Sequence, residues 1–159
     1  MRAVVQRIDR ARVEVGGATL SETGRGVLVF LGIEKGDEER DAEYLFKKIL
    51  HLRLFDDAEG KMNLSLEDIR GEMMVISQFT LLADCRKGRR PSFIAAEDPA
   101  AARPLYEHFI RIGRDRLGRI GSGKFQAMMR IDSVNDGPVT LLLDSRGFGE
   151  ISEPWRRRT

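Results

Sequence analysis

The sequence predicts a protein with both helices and strands, in the α/β class in its broad sense and closer to α+β, in which two helices cover a β-sheet. Residues 11–15 and 125–132 alternate apolar and polar side chains, which is the period of a half-buried strand. A continuous apolar run at residues 27–31 is typical of a strand covered on both faces. Apolar residues at the spacing of a helix begin near residues 37 and 98. Because these two helices do not alternate regularly with the strands, a doubly wound fold is disfavoured.

The first half of the chain predicts strands, one helix and a short further strand. Residues 3–8 and 11–15 are the first two strands, and the second places three apolar side chains on one face: Ala11, Val13 and Val15. Asp37 is predicted to open the first helix, which has acidic residues in its first turn and lysines in its last, as the helix dipole favours. Its apolar face carries Ala42, Leu45 and Ile49. A short strand follows near residues 52–55.

The second half of the chain predicts three more strands. Residues 73–81 begin with four apolar residues and indicate a central strand. The alternation over residues 125–132 places Phe125 and Met129 on one face of an amphipathic strand. A last strand covers residues 139–143, where every second residue is apolar.

The second helix begins near Asp98-Pro99, a pair typical of a helix N-terminus. Pro104 indicates that its regular part starts nearer residue 103, since proline inside a helix removes a hydrogen bond. Three apolar residues of this helix face inward: Leu105, Phe109 and Ile112.

Length and composition indicate one domain. The chain has 159 residues, of which 42% are hydrophobic and 33% charged, as in ordinary globular proteins. We assign residues 1–150 to the domain and residues 151–159 to a basic C-terminal tail. A net charge of +2 excludes a histone-like protein, so any contact with nucleic acid must come from local clusters.

The expected compartment is the cytoplasm. The only cysteine, Cys85, excludes an intramolecular disulfide and fits a reducing environment. The N-terminal residues lack the apolar core of a signal peptide. The longest apolar stretch, residues 27–33, is too short to span a bilayer, so no membrane association is expected.

Residues Ser77, Gln78, Phe79 and Thr80 are the first candidate site. A buried strand becomes polar at its end here, and strand ends hold side chains on a rigid element near solvent. Backbone N–H groups that leave the ladder there are suited to binding a developing oxyanion. The alternative interpretation is an ordinary strand end whose hydroxyl groups satisfy neighbouring backbone, and this segment alone favours it.

The second candidate segment is Asn135-Asp136-Gly137-Pro138-Val139-Thr140. Asparagine, aspartate, glycine and proline together predict a turn before a strand, and taken alone that is the better interpretation. Pro138 has no N–H to donate and therefore belongs at a strand start or a sheet edge. The ordinary expectation for its peptide bond is trans.

Other common chemistries find little support in the sequence. Both histidines, His51 and His108, fall in predicted helices, and no spaced set of ligands predicts a metal site. The motif of an α/β-hydrolase nucleophile and the phosphate-binding P-loop are both missing from the sequence. The basic loop at residues 86–90 is more typical of a solvated loop than of an RNA contact.

The segments in this order resemble the D-aminoacyl-tRNA deacylase family. The resemblance extends from residue 1 to about residue 144, and it is specific because the motifs occur as an ordered set. The segments that carry it are Met1–Arg7, Leu52–Phe55, Gly60–Asn63, Ser77–Leu81, Lys87–Phe93 and Asn135–Thr140.

The resemblance implies a mainly antiparallel β-sheet sandwich or barrel with two covering helices. It also implies a homodimer, with residues 77–80 as one wall of an active site at the subunit interface. The pair Gly137-Pro138 would be a cis peptide that reaches in from the partner subunit and rejects L-aminoacyl groups, which overrides the trans expectation. Arg7 would hold this pair, and Phe125 and Met129 would border a pocket for the terminal adenosine.

The implied activity is hydrolysis of the ester that joins a D-amino acid or glycine to tRNA, without cofactor, metal, membrane or DNA. No side-chain base lies beside either motif, so we expect the protein to position and polarise the ester while RNA and water move the protons. A nucleophilic Thr80 is the alternative mechanism. An RNA-binding module without activity, a general esterase and a structural dimer are the alternative functions.

Two segments depart from the family pattern. Gln126 stands where the family usually has a small residue, and the predicted alternation points it away from Phe125. The tail beyond residue 150 lies outside the resemblance, and a solvated tail is the expectation for its three arginines.

Overall fold

The computed structural model describes residues 1–147, so the predicted tail at residues 151–159 and the last three residues of the assigned domain lie outside it. The chain forms a mixed β-sheet and two helices in this part. The strands are β1 (Arg2–Val15), β2 (Ala18–Thr23), β3 (Gly26–Gly32), β4 (Phe55–Asp56), β5 (Met62–Leu64), β6 (Glu72–Ser77), β7 (Gly121–Ser122) and β8 (Arg130–Asp144). The helices are α1 (Glu39–His51) and α2 (Pro99–Leu117), and a 3-10 turn spans Phe79–Leu82.

Six of these strands form one sheet around β1. Its order is β2-β1-β3-β6-β7, and β8 pairs with the other side of β1. The three pairings of β1 are antiparallel, whereas β6 runs parallel to β3 and β7. Contacts between β2 and β7 bring the two ends of the sheet together, so that it is nearly closed as a barrel. The mainly antiparallel sheet with two helices confirms the predicted fold class.

The strand β1 is longer than predicted. Residues 3–8 and 11–15 were expected as two strands, but they belong to one. Its first half pairs with β3 up to Ile8, and its second half pairs with β2 from Ala11 onward. The exposed residues at positions 9 and 10 lie where β1 passes from one partner to the next, which explains why the apolar pattern is interrupted without a break in the strand.

Helix α1 begins two residues later than predicted. Glu38 is its N-cap, and the side chains of Glu38 and Asp41 form a reciprocal capping box. Asp37 does not open the helix, because its buried carboxylate accepts a hydrogen bond from the N-terminal ammonium of Met1 at 2.7 Å. The predicted apolar face of α1 is confirmed, since Ala42, Leu45 and Ile49 are buried.

Helix α2 begins at Pro99 and includes Pro104, so the predicted start near residue 103 is wrong. Pro104 leaves the carbonyl of Ala100 without its helical donor. Ala100 is exposed to water, which can satisfy that carbonyl. Both helices contribute to the main core on one face of the sheet, where the rings of Phe46 and Phe109 pack edge to face at 5.6 Å.

Candidate functional site

The first candidate segment follows the end of β6. The backbone N–H of Gln78 donates a hydrogen bond to the carbonyl of Leu31 at 2.8 Å. β3 ends one residue later at Gly32, so the ladder has no further partner for the chain leaving β6. The central strand predicted for residues 73–81 therefore stops at Ser77, and a 3-10 turn replaces its last part.

This turn presents its groups to solvent. The side-chain amide of Gln78 donates to the hydroxyl of Thr80. The ring of Phe79 is 57% exposed and packs edge to face on Phe93, with 5.0 Å between centroids. The N–H groups of Phe79 and Thr80 have no acceptor within residues 1–147, as expected at the start of a helical turn. The segment thus offers two backbone donors beside an exposed aromatic ring.

The second candidate segment lies inside β8. Residues 135–138 were predicted as a turn, but they belong to this strand, whose pairing with β1 is irregular on either side of Ile8. The Gly137-Pro138 peptide bond is cis, and Gly137 has φ +126°, a conformation that side-chain-bearing residues rarely adopt. Gly137 and Pro138 are both exposed, and they form the tip of the irregular stretch.

The buried side chain of Arg7 binds the backbone beside this tip. Its Nε donates to the backbone carbonyl of Asp136 at 3.2 Å, and its Nη1 donates to the carbonyl of Leu54 at 2.8 Å. The carboxylates of Asp136 and Asp56 lie 3.0 and 3.6 Å from the guanidinium. The guanidinium therefore joins the tip to β1 and to the start of β4.

Asn135 anchors the same stretch a second time. Its side-chain amide donates to the carbonyl of Arg7 at 3.1 Å and to the carbonyl of Val139 at 3.0 Å. Neither Arg7 nor Val139 has a register partner in the pairing of β1 with β8, so these bonds connect the two strands where the regular ladder is interrupted. The sequence motif contains Asn135 and Asp136 but indicates for them only a turn; their position beside glycine and proline is the signal from which this anchoring could be found.

The two candidate segments lie apart on the sheet. Ser77 pairs with Leu31 of β3, and Leu31 pairs with Ala3 of β1. Pro138 lies on the opposite side of β1, beside Arg7. Three strand spacings and four residues along β1 correspond to a separation on the order of 15–20 Å. Within one chain the two segments do not form a single pocket.

Phe125 and Met129 do not lie on a regular strand, so the predicted strand at 125–132 is wrong in its first half. A turn precedes β8, and Gln126 has φ +61° within it. Phe125 nevertheless packs against the main core beside Tyr106, with ring centroids 5.7 Å apart, and Met129 packs against the smaller core inside the barrel. Both residues are half-buried.

The side chain of Gln126 contacts Arg103 of α2. Its side-chain carbonyl accepts a hydrogen bond from Arg103 at 3.3 Å. The Arg103 guanidinium in turn lies over the ring of Phe125, 5.2 Å from its centroid. Gln126 is exposed and is linked to Phe125 through Arg103, an arrangement compatible with the expectation that its side chain points away from Phe125.

The basic loop of residues 86–90 is the end of a small hairpin. Asp84 and Ser92 exchange two backbone hydrogen bonds at 2.8 and 2.9 Å, which close the hairpin. The side chain of Arg86 and its backbone N–H both bind the Asp84 carboxylate and hold the pKa of that carboxyl well below its usual range. Phe93, which follows Ser92, packs against Phe79.

The described residues give no support to metal chemistry or to a histidine base at these segments. Within residues 1–147, no three His, Cys, Asp or Glu side chains are placed to hold a metal ion. His108 is buried on α2, where its ring nitrogens lie 3.7 and 3.4 Å from Glu39 and Glu43 of α1. His51 lies on the surface of α1 beside Glu67. No helix in this part of the chain is long and apolar enough to cross a membrane.

Solved structures share this fold. One titled "c-Myc DNA Unwinding Element Binding Protein" superposes with a TM-score of 0.86 at 42% sequence identity, covering 91% of this chain and 98% of its own. A second, titled as a structural analysis of a probable eukaryotic D-amino acid tRNA deacylase, has a TM-score of 0.77 at 19% identity, covering 89% of this chain and 97% of its own. At that identity, the second similarity shows the fold alone.

The sequence comparisons define the family. Residues 4–144 match the family model described as D-Tyr-tRNA(Tyr) deacylase. A protein of Syntrophus aciditrophicus named D-aminoacyl-tRNA deacylase is 60% identical over 146 residues, which is 92% of this chain and 98% of that protein. One of the same name from Thermosipho melanesiensis is 52% identical over 147 residues, again 92% of this chain and 98% of that protein. The chain belongs to the D-Tyr-tRNA(Tyr) deacylase family.

Proposed function

We propose that this protein hydrolyses the ester bond of D-aminoacyl-tRNA and releases the free D-amino acid and tRNA. It is an enzyme of the D-aminoacyl-tRNA deacylase class, a carboxylic ester hydrolase. The observation that carries the proposal is the 60% identity with a protein of that name over almost the entire length of both chains. A role in removing D-amino acids before translation, and a cytoplasmic location, follow from this substrate and stay predictions.

The active site is completed by a second copy of the chain. This part of the proposal is supported by the separation of the two candidate segments, because a pocket that uses residues 77–80 and Gly137-Pro138 together needs two subunits. It is also supported by apolar side chains exposed at the first segment. Phe79, Phe93 and Ile94 are all exposed there, and such clusters mark interaction surfaces.

Gly137-Pro138 selects against L-aminoacyl groups. The backbone carbonyls of this tip, placed in the partner's site, crowd the side of the substrate Cα from which an L side chain projects. Glycine and D-residues place only hydrogen there, so glycyl-tRNA is also a substrate. The support for this role is the double anchoring of the tip by Arg7 and Asn135, since rejection by steric contact requires a rigid wall.

Phe125 and Met129 hold the terminal adenosine of the tRNA. Aromatic and apolar side chains provide a surface on which a base can stack. The half-buried positions of both residues beside the end of β6 support this assignment, because they leave part of each side chain available to a ligand. The pocket uses no metal or cofactor.

Positioning and polarisation account for the chemistry. The N–H groups of Phe79 and Thr80 are free to bind the oxyanion that forms when water adds to the ester carbonyl. The ribose oxygen then leaves, and it takes a proton that comes from water or from the neighbouring ribose hydroxyl. An aminoacyl ester is already activated, so orientation and oxyanion binding contribute most of what the protein must supply.

Thr80 is not the nucleophile in this mechanism. Within residues 1–147 its hydroxyl is hydrogen-bonded by the amide of Gln78, and no histidine, carboxylate or amine is bonded to it. We expect Thr80→Ala to retain deacylation within about tenfold of the unmodified enzyme, since the backbone donors remain. Single-turnover kinetics with D-tyrosyl-tRNA would test this, and Thr80→Ser is the control. A variant that binds tRNA but has lost all turnover, with Thr80→Ser active, would establish the nucleophilic mechanism instead.

The central experiment is deacylation of D-tyrosyl-, L-tyrosyl- and glycyl-tRNA under identical conditions. Loss of the D and glycyl esters with the L ester spared is the expected result. Equal hydrolysis of D and L esters would keep the hydrolase and discard the role of Gly137-Pro138. Binding of tRNA by a folded dimer with no hydrolysis of any ester would favour an RNA-binding module, and cleavage of simple esters alone would favour a general esterase.

A further inference from the structure

A cleft of about 550 Å³ lies between α2 and the chain that follows β7. Four of its lining residues are cations: Arg103, Arg111, Arg114 and Lys124. The three arginines are spaced eight and three residues apart on α2 and therefore share one helix face. Glu107 is the one carboxylate among the lining residues, and Phe125 forms part of the wall.

These four cations are not used in ion pairs. Within residues 1–147, the arginines at positions 2, 7, 12, 40, 86, 116 and 146 have a carboxylate within 4.0 Å, whereas none of the four cleft cations does. Arg103 contacts Gln126 and the Phe125 ring, and Arg111 contacts the ring of His108. Their charges line the cleft, and no carboxylate of residues 1–147 lies within ion-pair distance of them.

A second cleft provides an internal comparison. It is larger, at about 770 Å³, and it is lined by three arginines and three carboxylates: Arg10, Arg12, Arg119, Glu22, Glu72 and Asp132. The charges of that cleft cancel, and Arg12 pairs directly with Asp132 at 3.3 Å. Of these two clefts, only the α2 cleft has more cations than carboxylates among its lining residues.

We infer that the α2 cleft binds the phosphates of the tRNA strand that leads to the terminal adenosine. This inference rests on the proposed function, which places that adenosine against Phe125. The row from Arg103 to Arg114 extends about 16 Å along the helix, long enough to follow a strand for more than one phosphate. Unpaired arginines beside an aromatic ring are the usual combination at a single-stranded nucleic-acid groove.

The test removes two cleft cations and compares two substrates. The double variant Arg114→Gln, Lys124→Gln is matched by Lys47→Gln, Lys48→Gln on α1, which also removes two exposed cations, one of them in the last turn of a helix. Binding of tRNA that carries no amino acid is measured as a function of salt concentration. Deacylation is measured with D-tyrosyl-tRNA and with the D-tyrosyl ester of adenosine, which has no phosphate.

We expect the cleft variant to bind tRNA more weakly by on the order of tenfold at 0.1 M salt, with a slope of log K against log salt smaller by about 1.4, which is 0.7 for each lost contact. KM for D-tyrosyl-tRNA should rise with kcat retained, and the defect should be several-fold larger with tRNA than with the adenosine ester. The α1 variant should behave as the unmodified protein does.

Three results would overturn the inference: equal weakening by both double variants, an unchanged salt slope, or an equal defect with the adenosine ester. The proposed function is tested separately in the same experiment. If the unmodified protein hydrolyses neither ester, that function is wrong, and the salt-dependent binding of uncharged tRNA still decides whether the cleft contacts RNA.

Discussion

The two segments of the candidate site are held in opposite ways. Residues 77–80 make one long-range backbone bond, from Gln78 N–H to the Leu31 carbonyl, and their side-chain hydrogen bond, from Gln78 to Thr80, lies within the turn. The tip at Gly137-Pro138 is held by a buried guanidinium from β1 and by Asn135. Local contacts leave a turn free to adjust to a substrate, whereas long-range buried contacts fix a position. This difference matches the proposed roles, in which residues 77–80 polarise the ester and Gly137-Pro138 rejects one enantiomer.

Removal of Arg7 should have the largest effect. Arg7→Met leaves the buried carbonyl of Leu54 without its donor and releases the Asp136 carbonyl, so we expect a loss of about 3 kcal/mol in the free energy of unfolding. Urea unfolding measures this. The ratio of D- to L-tyrosyl-tRNA hydrolysis should also fall, because the tip is no longer anchored.

Arg12→Met is the matched control on the same strand. Arg12 pairs with Glu14 and Asp132, but its side chain is 46% exposed, and exposed pairs contribute less than about 1 kcal/mol. Similar losses of stability for the two variants would mean that the tip is no better anchored than the surface, and the contrast between the two segments would not hold.

Gly137→Ala should have the second-largest effect. A Cβ at this position would lie 2.9 Å from the backbone nitrogen of Val139 and 3.2 Å from the Arg7 guanidinium, at a φ of +126°. We expect a loss of about 2 kcal/mol in unfolding free energy and reduced discrimination against L-tyrosyl-tRNA. Gly60→Ala is the control, because its φ is also positive while its Cβ meets no atom within 4 Å. Equal losses would show that backbone conformation, and not the crowded tip, decides the result.

How far the sequence predicts the molecule depends on the range of the interactions. The helices and most strands follow from local periodicity, as the buried face of α1 illustrates. The end of β6 could not be predicted in this way, because Phe79, Leu81 and Leu82 bring apolar residues back after Ser77 and Gln78, and the strand stops where β3 ends. The strand predicted at Phe125 failed for a similar reason: its alternation arises from a turn that packs side chains into two different cores.

The same distinction between local and long-range interactions applies to the candidate site. The motifs at Ser77 and Gly137 are visible in the sequence as polar and turn-forming residues. The clamp by Arg7 on the Leu54 carbonyl connects residues 47 positions apart, and no local pattern indicates it. The cations of the α2 cleft are likewise visible as charges, but that no carboxylate of residues 1–147 pairs with them is apparent only in three dimensions.

A smaller effect is expected for Phe79→Ala, and it appears in dimer assembly more than in folding. The ring is mostly exposed in one chain, so its truncation should change the unfolding free energy of a single chain by less than about 1 kcal/mol. If a second copy covers it, dimer dissociation should be easier by about 1–2 kcal/mol, as measured by analytical ultracentrifugation. Tyr44→Ala, on α1 and about equally exposed, is the control. An unchanged dimer constant would remove Phe79 from the interface.

The smallest effect concerns the hairpin that supports Phe93. Hydrogen bonds from the Arg86 side chain and, to a smaller extent, from the Arg86 backbone N–H lower the pKa of Asp84 in the folded protein. A lowered pKa means that the ionised carboxylate stabilises the hairpin above the unfolded pKa of about 4, and that this contribution is lost as the pH falls toward the folded value. The difference in urea midpoint between the unmodified protein and Asp84→Asn should therefore be constant from pH 8 to about pH 5 and should shrink below about pH 4. Asp115→Asn on α2 is the exposed control. A difference that grows as the pH falls would contradict the assigned sign. If the hairpin then loosens without any change in deacylation, the position of Phe79 does not depend on its contact with Phe93.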